Sequence, residues 1–341
     1  MLVLCLGGRA VIVTLAERSA ALLAELGLTA GAEPVAVALL AGGVSSDIAR
    51  VTTATNTLCV KFALEQLKVT EAWSAPIGRN AAEYEWLAYV RNIDPALVPE
   101  LFGMSVRLGG FAMAFLDPET HVNWKSELLA GSVDVSFAAA VGGALGRIHD
   151  HAARDPEGRS RFAYQENFRA LRLDPYLNFT ATRHPDLGDR LRAMADDLMQ
   201  ARISLVHGDV SPKNILKGPE GPVFLDAECA VEGDPSFDVA FCLNHLVIKS
   251  IAGIAPADEL RRALSAFWRA YAPQVTWESP AMIEQRVSVL LPALLLARID
   301  GKSPVEYLQE PARIRIRQIA RSLVTDPPAS LSDLLDRAEH E

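Results

Sequence analysis

The stretch His207-Gly208-Asp209-Val210-Ser211-Pro212-Lys213-Asn214 sets a carboxylate and a carboxamide five residues apart in a loop, and Val223-Phe224-Leu225 then leads into Asp226-Ala227-Glu228. A short apolar strand would thus deliver two further carboxylates to the place where the loop holds the first. A lone Asp beside a Gly would do no more than close a turn. The combination reads differently. Phosphoryl transfer asks little covalent chemistry of a protein; it needs a group that accepts the nucleophile's proton, oxygen ligands for Mg2+, and positive charge on the phosphates.

Each residue type suits one of those tasks. Asp209 is the expected catalytic proton acceptor, and Asn214 follows it at the offset found in kinase catalytic loops. Asp226 is the expected main Mg2+ ligand, with Asn214 beside it. Glu228 falls on the same side as Asp226 if the chain is extended there, because strand side chains alternate with period two, so it can reach the metal or a metal-bound water. His207 is expected to be a buried, hydrogen-bonded support of the loop and not a proton carrier.

A nucleotide site must lie upstream. Residues 57–62 form an apolar strand interrupted by Lys61, and a charge there is costly unless paired. Glu83 is the expected partner, since the segment 79–91 has helical spacing with Leu87 and Val90 on the face of Glu83 and Glu85 to the side. The strand 35–40 runs into Gly42, Gly43, Ser45 and Ser46, whose small size and donors suit close approach to phosphates, and 48–53 is its return strand. Residues 105–108 and 111–116 read as a hairpin about Gly109-Gly110. Its end, Phe115-Leu116-Asp117-Pro118, is the expected hinge, where backbone groups of Phe115 and Leu116 would meet adenine.

With Gly233-Asp234-Pro235-Ser236-Phe237-Asp238-Val239-Ala240 added, the set resembles the aminoglycoside phosphotransferase and choline kinase superfamily, small-molecule kinases with the bilobal architecture of protein kinases. The resemblance implies an α+β protein-kinase-like fold, a small N-lobe with an antiparallel sheet (1–116) and a mostly helical C-lobe (117–341), with ATP and Mg2+ as cofactors. It also implies that Asp238 holds the Asp209 loop by hydrogen bonds. A protein kinase would follow its metal Asp with an activation segment closed by Ala-Pro-Glu; none follows Asp226.

A narrower likeness surrounds Lys61. Val60-Lys61-Phe62-Ala63-Leu64, Lys68-Val69, Trp73, and Arg79 four residues before Glu83 are similar to the corresponding segment of methylthioribose kinases, which also carry Asp-x-Glu at the metal strand. That family has a paired arginine late in the chain that contacts the sugar. Here Ala297-Arg298 stands in its place, so at most one is kept, and Arg298 is either a substrate contact or a structural ion-pair partner. The expected acceptor is therefore a hydroxyl of a small polyol, sugar or amino alcohol. Methylthioribose or an aminoglycoside is the alternative within the class, and a catalytically idle nucleotide-binding module the alternative outside it.

The remaining elements must position these groups. Residues 16–26 read as an amphipathic helix closed by Gly27; 133–151 as a buried central helix in which Gly142-Gly143 permits close packing, with His149 as a structural cap; 258–272, 280–297 and 331–341 as further helices. Trp124 either walls the substrate site or anchors its loop. The Arg-rich stretch 159–179 is the expected substrate-facing insert. With 341 residues the chain exceeds what one core usually serves. A net charge of -9 argues against nucleic acid. No stretch reads as long enough to span a membrane, and Cys5, Cys59, Cys229 and Cys242 lack paired spacing, so a cytoplasmic protein with free thiols is expected.

Overall fold

The protein is described here from a computed structural model covering residues 2–6, 9–30, 36–40, 46–64 and 78–340. In chain order, β1 (Leu2–Leu6) and β2 (Arg9–Val13) form an antiparallel hairpin that the sequence did not announce, followed by α1 (Leu15–Glu25). Thr14 caps α1 in a capping box with Glu17. Next come β3 (Ala36–Leu39), β4 (Ser46–Thr52), β5 (Thr57–Ala63), α2 (Arg79–Ile93), β6 (Leu101–Ser105) and β7 (Gly110–Ala114).

These strands make an antiparallel sheet in the order β3-β4-β5-β7-β6. The middle place of β5 explains why it is buried along nearly its whole length. Its residues alternate between two cores: Leu58, Val60 and Phe62 pack with Leu22 and Leu23 of α1, whereas Cys59 faces the larger core with Trp86, Leu87 and Val90 of α2. Lys61 shares that second face. The hairpin expected at 105–108 and 111–116 is displaced toward the N-terminus. Residues 106–109 are spent on the turn, closed by the Leu108 N–H donating to Ser105 Oγ at 3.0 Å.

The rest is mostly helical. It runs through β8 (Val122–Asn123), α3 (Trp124–Leu129), α4 (Val135–Arg154), α5 (Pro156–Ser160), α6 (Gln165–Phe168), a π-helical stretch Arg169–Asn178, α7 (Phe179–Arg183), α8 (Gly188–Gln200), β9 (Ser204–Val206), β10 (Ile215–Gly218), β11 (Gly221–Phe224) and β12 (Val231–Gly233). It ends in α9 (Ser236–Ile251), α10 (Ala257–Tyr271), α11 (Pro280–Asp300), α12 (Glu310–Thr325) and α13 (Leu331–His340). This is the bilobal kinase-like arrangement expected from the sequence.

The central helix α4 packs on α10 at close range, since a Cβ on Gly142 would come within 2.3 Å of the Phe267 carbonyl oxygen. His149 is not a cap, because α4 continues beyond it to Arg154. Trp124 is an anchor: it is buried and meets Phe137 edge-on at 5.4 Å between centroids. One expectation is corrected by α11, which is 21 residues long and apolar enough to cross a membrane by length and composition. Its stretch 290–297 is buried within the large core.

Candidate active site

Two local pairings bring the site together. β9 pairs with β12 and launches the loop beginning at His207; after the single turn Pro212–Asn214, β10 pairs with β11 so that Ile215 lies opposite Phe224. The hairpin therefore sets Asn214 beside the residues that follow β11, and the Leu225 N–H donates to the Asn214 carbonyl at 2.9 Å. Asp209, Asn214 and Asp226 converge because of this register.

The loop is held from beneath. Asp238, in the first turn of α9, accepts from the backbone N–H groups of His207 at 2.7 Å and Gly208 at 2.8 Å, and His149 Nε2–H donates to it at 3.2 Å. The role implied for Asp238 is the one observed. Gly208 has φ +79°, and a Cβ there would meet the Cys229 carbonyl oxygen at 2.6 Å, so a side chain is doubly excluded.

His207 supports the loop as expected. Its Nδ1 accepts the Asp209 backbone N–H at 3.1 Å, which fixes the proton on Nε2, and Nε2–H donates to the Leu225 carbonyl at 3.1 Å. Burial lowers its pKa, so the neutral ring is the stable form. The imidazole thus ties the Asp209 loop to the Asp226 segment.

Asp209 is buried, and its Oδ2 lies 2.8 Å from Arg172 Nη2 and 3.1 Å from Lys213 Nζ. Arg172 belongs to the π-helical stretch and also donates through Nε to the Gly208 carbonyl. Asn214 donates through Nδ2 to the Asp209 carbonyl at 3.0 Å. That bond commits the donor side of the amide and leaves Oδ1 as an oxygen ligand. With the Asp226 carboxylate lining the same cavity, the pair fits a small divalent cation that prefers oxygen.

Asp226 has φ +67°, a left-handed conformation unusual for a residue with a side chain. The chain is turned there, not extended, which removes the period-two reason for expecting Glu228 beside Asp226. Glu228 is instead buried against Arg79 of α2, Nε to Oε2 3.3 Å.

From the small lobe, Lys61 Nζ lies 2.6 Å from Glu83 Oε2 and also pairs with Asp226. Burial opposes charge on Lys61, but Asp226 and Glu83 outweigh it and raise its pKa. Burial pushes Glu83 up to about 7 against the pull of Lys61. Burial likewise opposes charge on Asp226, and Lys61 and Lys213 overcome it, holding that carboxyl well below the usual range. Glu85 points elsewhere and accepts from the Tyr164 hydroxyl at 2.9 Å.

These groups line a cleft of about 420 Å³. Its lining combines the polar Lys61, Glu83, Asn214 and Asp226 with the apolar Ile48, Cys59, Met113, Phe115, Leu116 and Leu225. Phe115 and Leu116 therefore face the cleft at the junction of the lobes. Ser46 is buried at the start of β4, paired in register with Ala63. Gly42, Gly43 and Ser45, and likewise Lys68 and Trp73, lie outside the described residues.

Sequence reasoning missed two participants, Arg172 and the pairing role of Arg79. The Arg-rich character of 159–179 was the available signal for Arg172. Arg298 is not an ion-pair partner among the described residues; its Nη1 donates to the Tyr176 hydroxyl at 3.0 Å and to Ser303.

The sequence pattern of the phosphotransferase enzyme family matches residues 36–282. No curated protein matches the chain. Among solved structures, a choline/ethanolamine kinase family protein from Mesorhizobium loti superposes with a TM-score of 0.51 at 15% identity, covering 95% of this chain and 99% of the other. An ethanolamine kinase from Plasmodium vivax gives 0.51 at 11% identity over 84% and 82% of the two chains. An amicoumacin kinase in complex with AMP-PNP, Ca2+ and Ami gives 0.53 at 13% identity over 88% and 91%. At these identities the likeness is one of fold.

Proposed function

The chain belongs to the phosphotransferase enzyme family, and from that premise we propose that it transfers the γ-phosphate of ATP to a hydroxyl of a small molecule, a polyol, sugar or amino alcohol. The observation that supports this most is that Asn214 and Asp226 line one cleft with the Lys61–Glu83 pair while Asn214 is hydrogen-bonded to Asp209.

Asp209 orients the acceptor hydroxyl and takes its proton. Its carboxylate is held in place by Arg172 and Lys213, so little reorganisation remains at the moment of transfer. Lys61, fixed by Glu83, meets the nucleotide phosphates, and the slot bounded by Phe115 and Leu116 takes the base. Asn214 and Asp226 would hold Mg2+, which would neutralise charge on the phosphate oxygens. Glu228 acts on the same site through Arg79, or through a metal-bound water as the Asp-x-Glu likeness implies. Free buried thiols at Cys59, Cys229 and Cys242 support placing the enzyme in a reducing cytoplasm.

Coupled ADP release over a panel of hydroxylated metabolites tests the reading. A hydroxyl compound should stimulate ADP release, and Asp209→Asn should lower kcat by about a hundredfold or more with little change in nucleotide affinity, because a base acts mainly in the transition state. Near-normal turnover by that variant would remove Asp209 from the mechanism. ATP binding without turnover on any acceptor would favour the idle module.

A further inference from the structure

The large lobe gathers cations around two tyrosine rings, and two of them, Lys249 and Arg298, do not line the nucleotide cleft. Lys249 of α9 is fully buried; its Nζ donates to the His245 carbonyl at 3.3 Å and the Tyr307 hydroxyl at 3.2 Å, and it lies 5.0 Å from the Tyr307 ring centre. Lys125 Nζ lies 5.8 Å from the centre of the same ring. A second ring, Tyr176, is shared by Arg298 at 5.7 Å and by Arg172, the partner of Asp209, at 5.9 Å. Through Tyr176 this arc of cations reaches the partner of the catalytic carboxylate, and Lys249 lies within electrostatic range of both Lys125 and Arg298.

The arc is short of counter-charge. Asp209 pairs with Arg172 and Lys213, and Glu306 pairs with Lys125. Among the described residues neither Lys249 nor Arg298 has a carboxylate within ion-pair distance. Lys249 is sealed from water, where an unpartnered ammonium is costly, and Arg298 is half-buried with no ion-pair partner among the described residues. Lys125 and Lys213 line the nucleotide cleft, but Lys249 and Arg298 do not, so the nucleotide's phosphates leave that deficit in place.

We infer that the acceptor supplies the missing negative charge: it is a small hydroxylated molecule bearing a carboxylate or phosphate group, whose anion is drawn to Arg298 with Lys249 behind it while its hydroxyl lies at Asp209. This rests on the phosphoryl-transfer reading and narrows it, turning the preference away from amino alcohols, whose ammonium group the arc would repel. The state of His245 agrees with it. Burial first, then Arg298, Lys249, Lys213 and Lys125, push its pKa well below the ordinary value, a record of the positive potential in this corner.

Calorimetry on the full chain with Mg2+ and AMP-PNP tests this, using glycerol, glycerate and glycerol 3-phosphate, then ribitol, ribonate and ribitol 5-phosphate, with ethanolamine as the cationic control. At least one anionic probe should bind saturably and at least about tenfold more tightly than its neutral parent, a difference of roughly 1.4 kcal/mol. The acid and ester arms tell carboxylate from phosphate. Arg298→Met should erase the margin and Arg298→Lys should keep part of it; Lys249→Met reads the same field should Arg298→Met fail to fold. Equal binding of the neutral parent, no binding of any anionic probe, tighter binding of ethanolamine, or a margin that survives in both Met variants would overturn the inference. Because binding is read without turnover, a failure to transfer phosphate would count against the proposed activity and not against the anion site.

Discussion

The guanidinium of Arg172 lies 2.8 Å from Oδ2 of Asp209, and both side chains are almost sealed from solvent. Removing one member of a buried ion pair strands the other charge, typically at a cost of about 3–5 kcal/mol. Arg172→Met should therefore lower kcat by about tenfold or more and lower the melting temperature, whereas Arg172→Lys should recover part of both. Full activity in Arg172→Met would show that Lys213 alone can position the carboxylate.

Asp226→Ala should abolish the Mg2+ dependence of nucleotide binding, and Asn214→Ala should weaken it, if these two supply oxygen donors to the metal in the cleft they line. Titration of AMP-PNP with and without Mg2+ measures this directly. Unchanged affinity in both variants would refute the metal assignment.

Lys61 and Glu83 act as a unit. Lys61→Ala should raise the KM for ATP or lower kcat, Glu83→Ala should do the same more mildly, and the double variant should be little worse than Lys61→Ala. Additive losses in the cycle would mean that Glu83 does not work through Lys61.

Lys249 makes a prediction in pH. Burial, then Lys125 and Arg298, lower its pKa from 10.5 to about 7, with Cys242 and Glu306 acting the other way; Tyr307 and the His245 carbonyl also face its amine. The folded value is depressed, so between pH 7 and 10.5 the unfolded chain binds more protons. Stability rises with pH across that window and is lost as pH falls toward 7. The stability of the wild type relative to Lys249→Met should thus climb by about 1.4 kcal/mol per pH unit. Parallel curves in urea melts from pH 7 to 10 would exclude a depressed amine.

What the sequence revealed follows from which contacts are local. Asp209, Asn214 and Asp226 were legible because a loop and one hairpin bring them together, and the spacing of that hairpin is written in consecutive residues. Lys61 and Glu83 were legible because a charge on the buried central strand needs a partner and helical periodicity singles out one Glu. Arg172 was not, since nothing in an Arg-rich stretch says which guanidinium a π-helical turn will aim at a carboxylate far along the chain. The Glu228 reasoning failed at one torsion, the positive φ of Asp226, which no local pattern signalled.

The span 226–228 does one thing more. Asp226 grips Lys61 of the sheet and Glu228 grips Arg79 at the start of α2, while Trp86 of the same helix rests edge-on against His207 at 4.7 Å. The small lobe is thereby tied to the large one at several points, and of these the Glu228–Arg79 pair and the Trp86–His207 contact are buried and so little weakened by salt. Swinging about the 115–118 connection would mean tearing buried charges apart. The unloaded protein should therefore keep its jaws nearly shut, with ligands sliding in along the open rim.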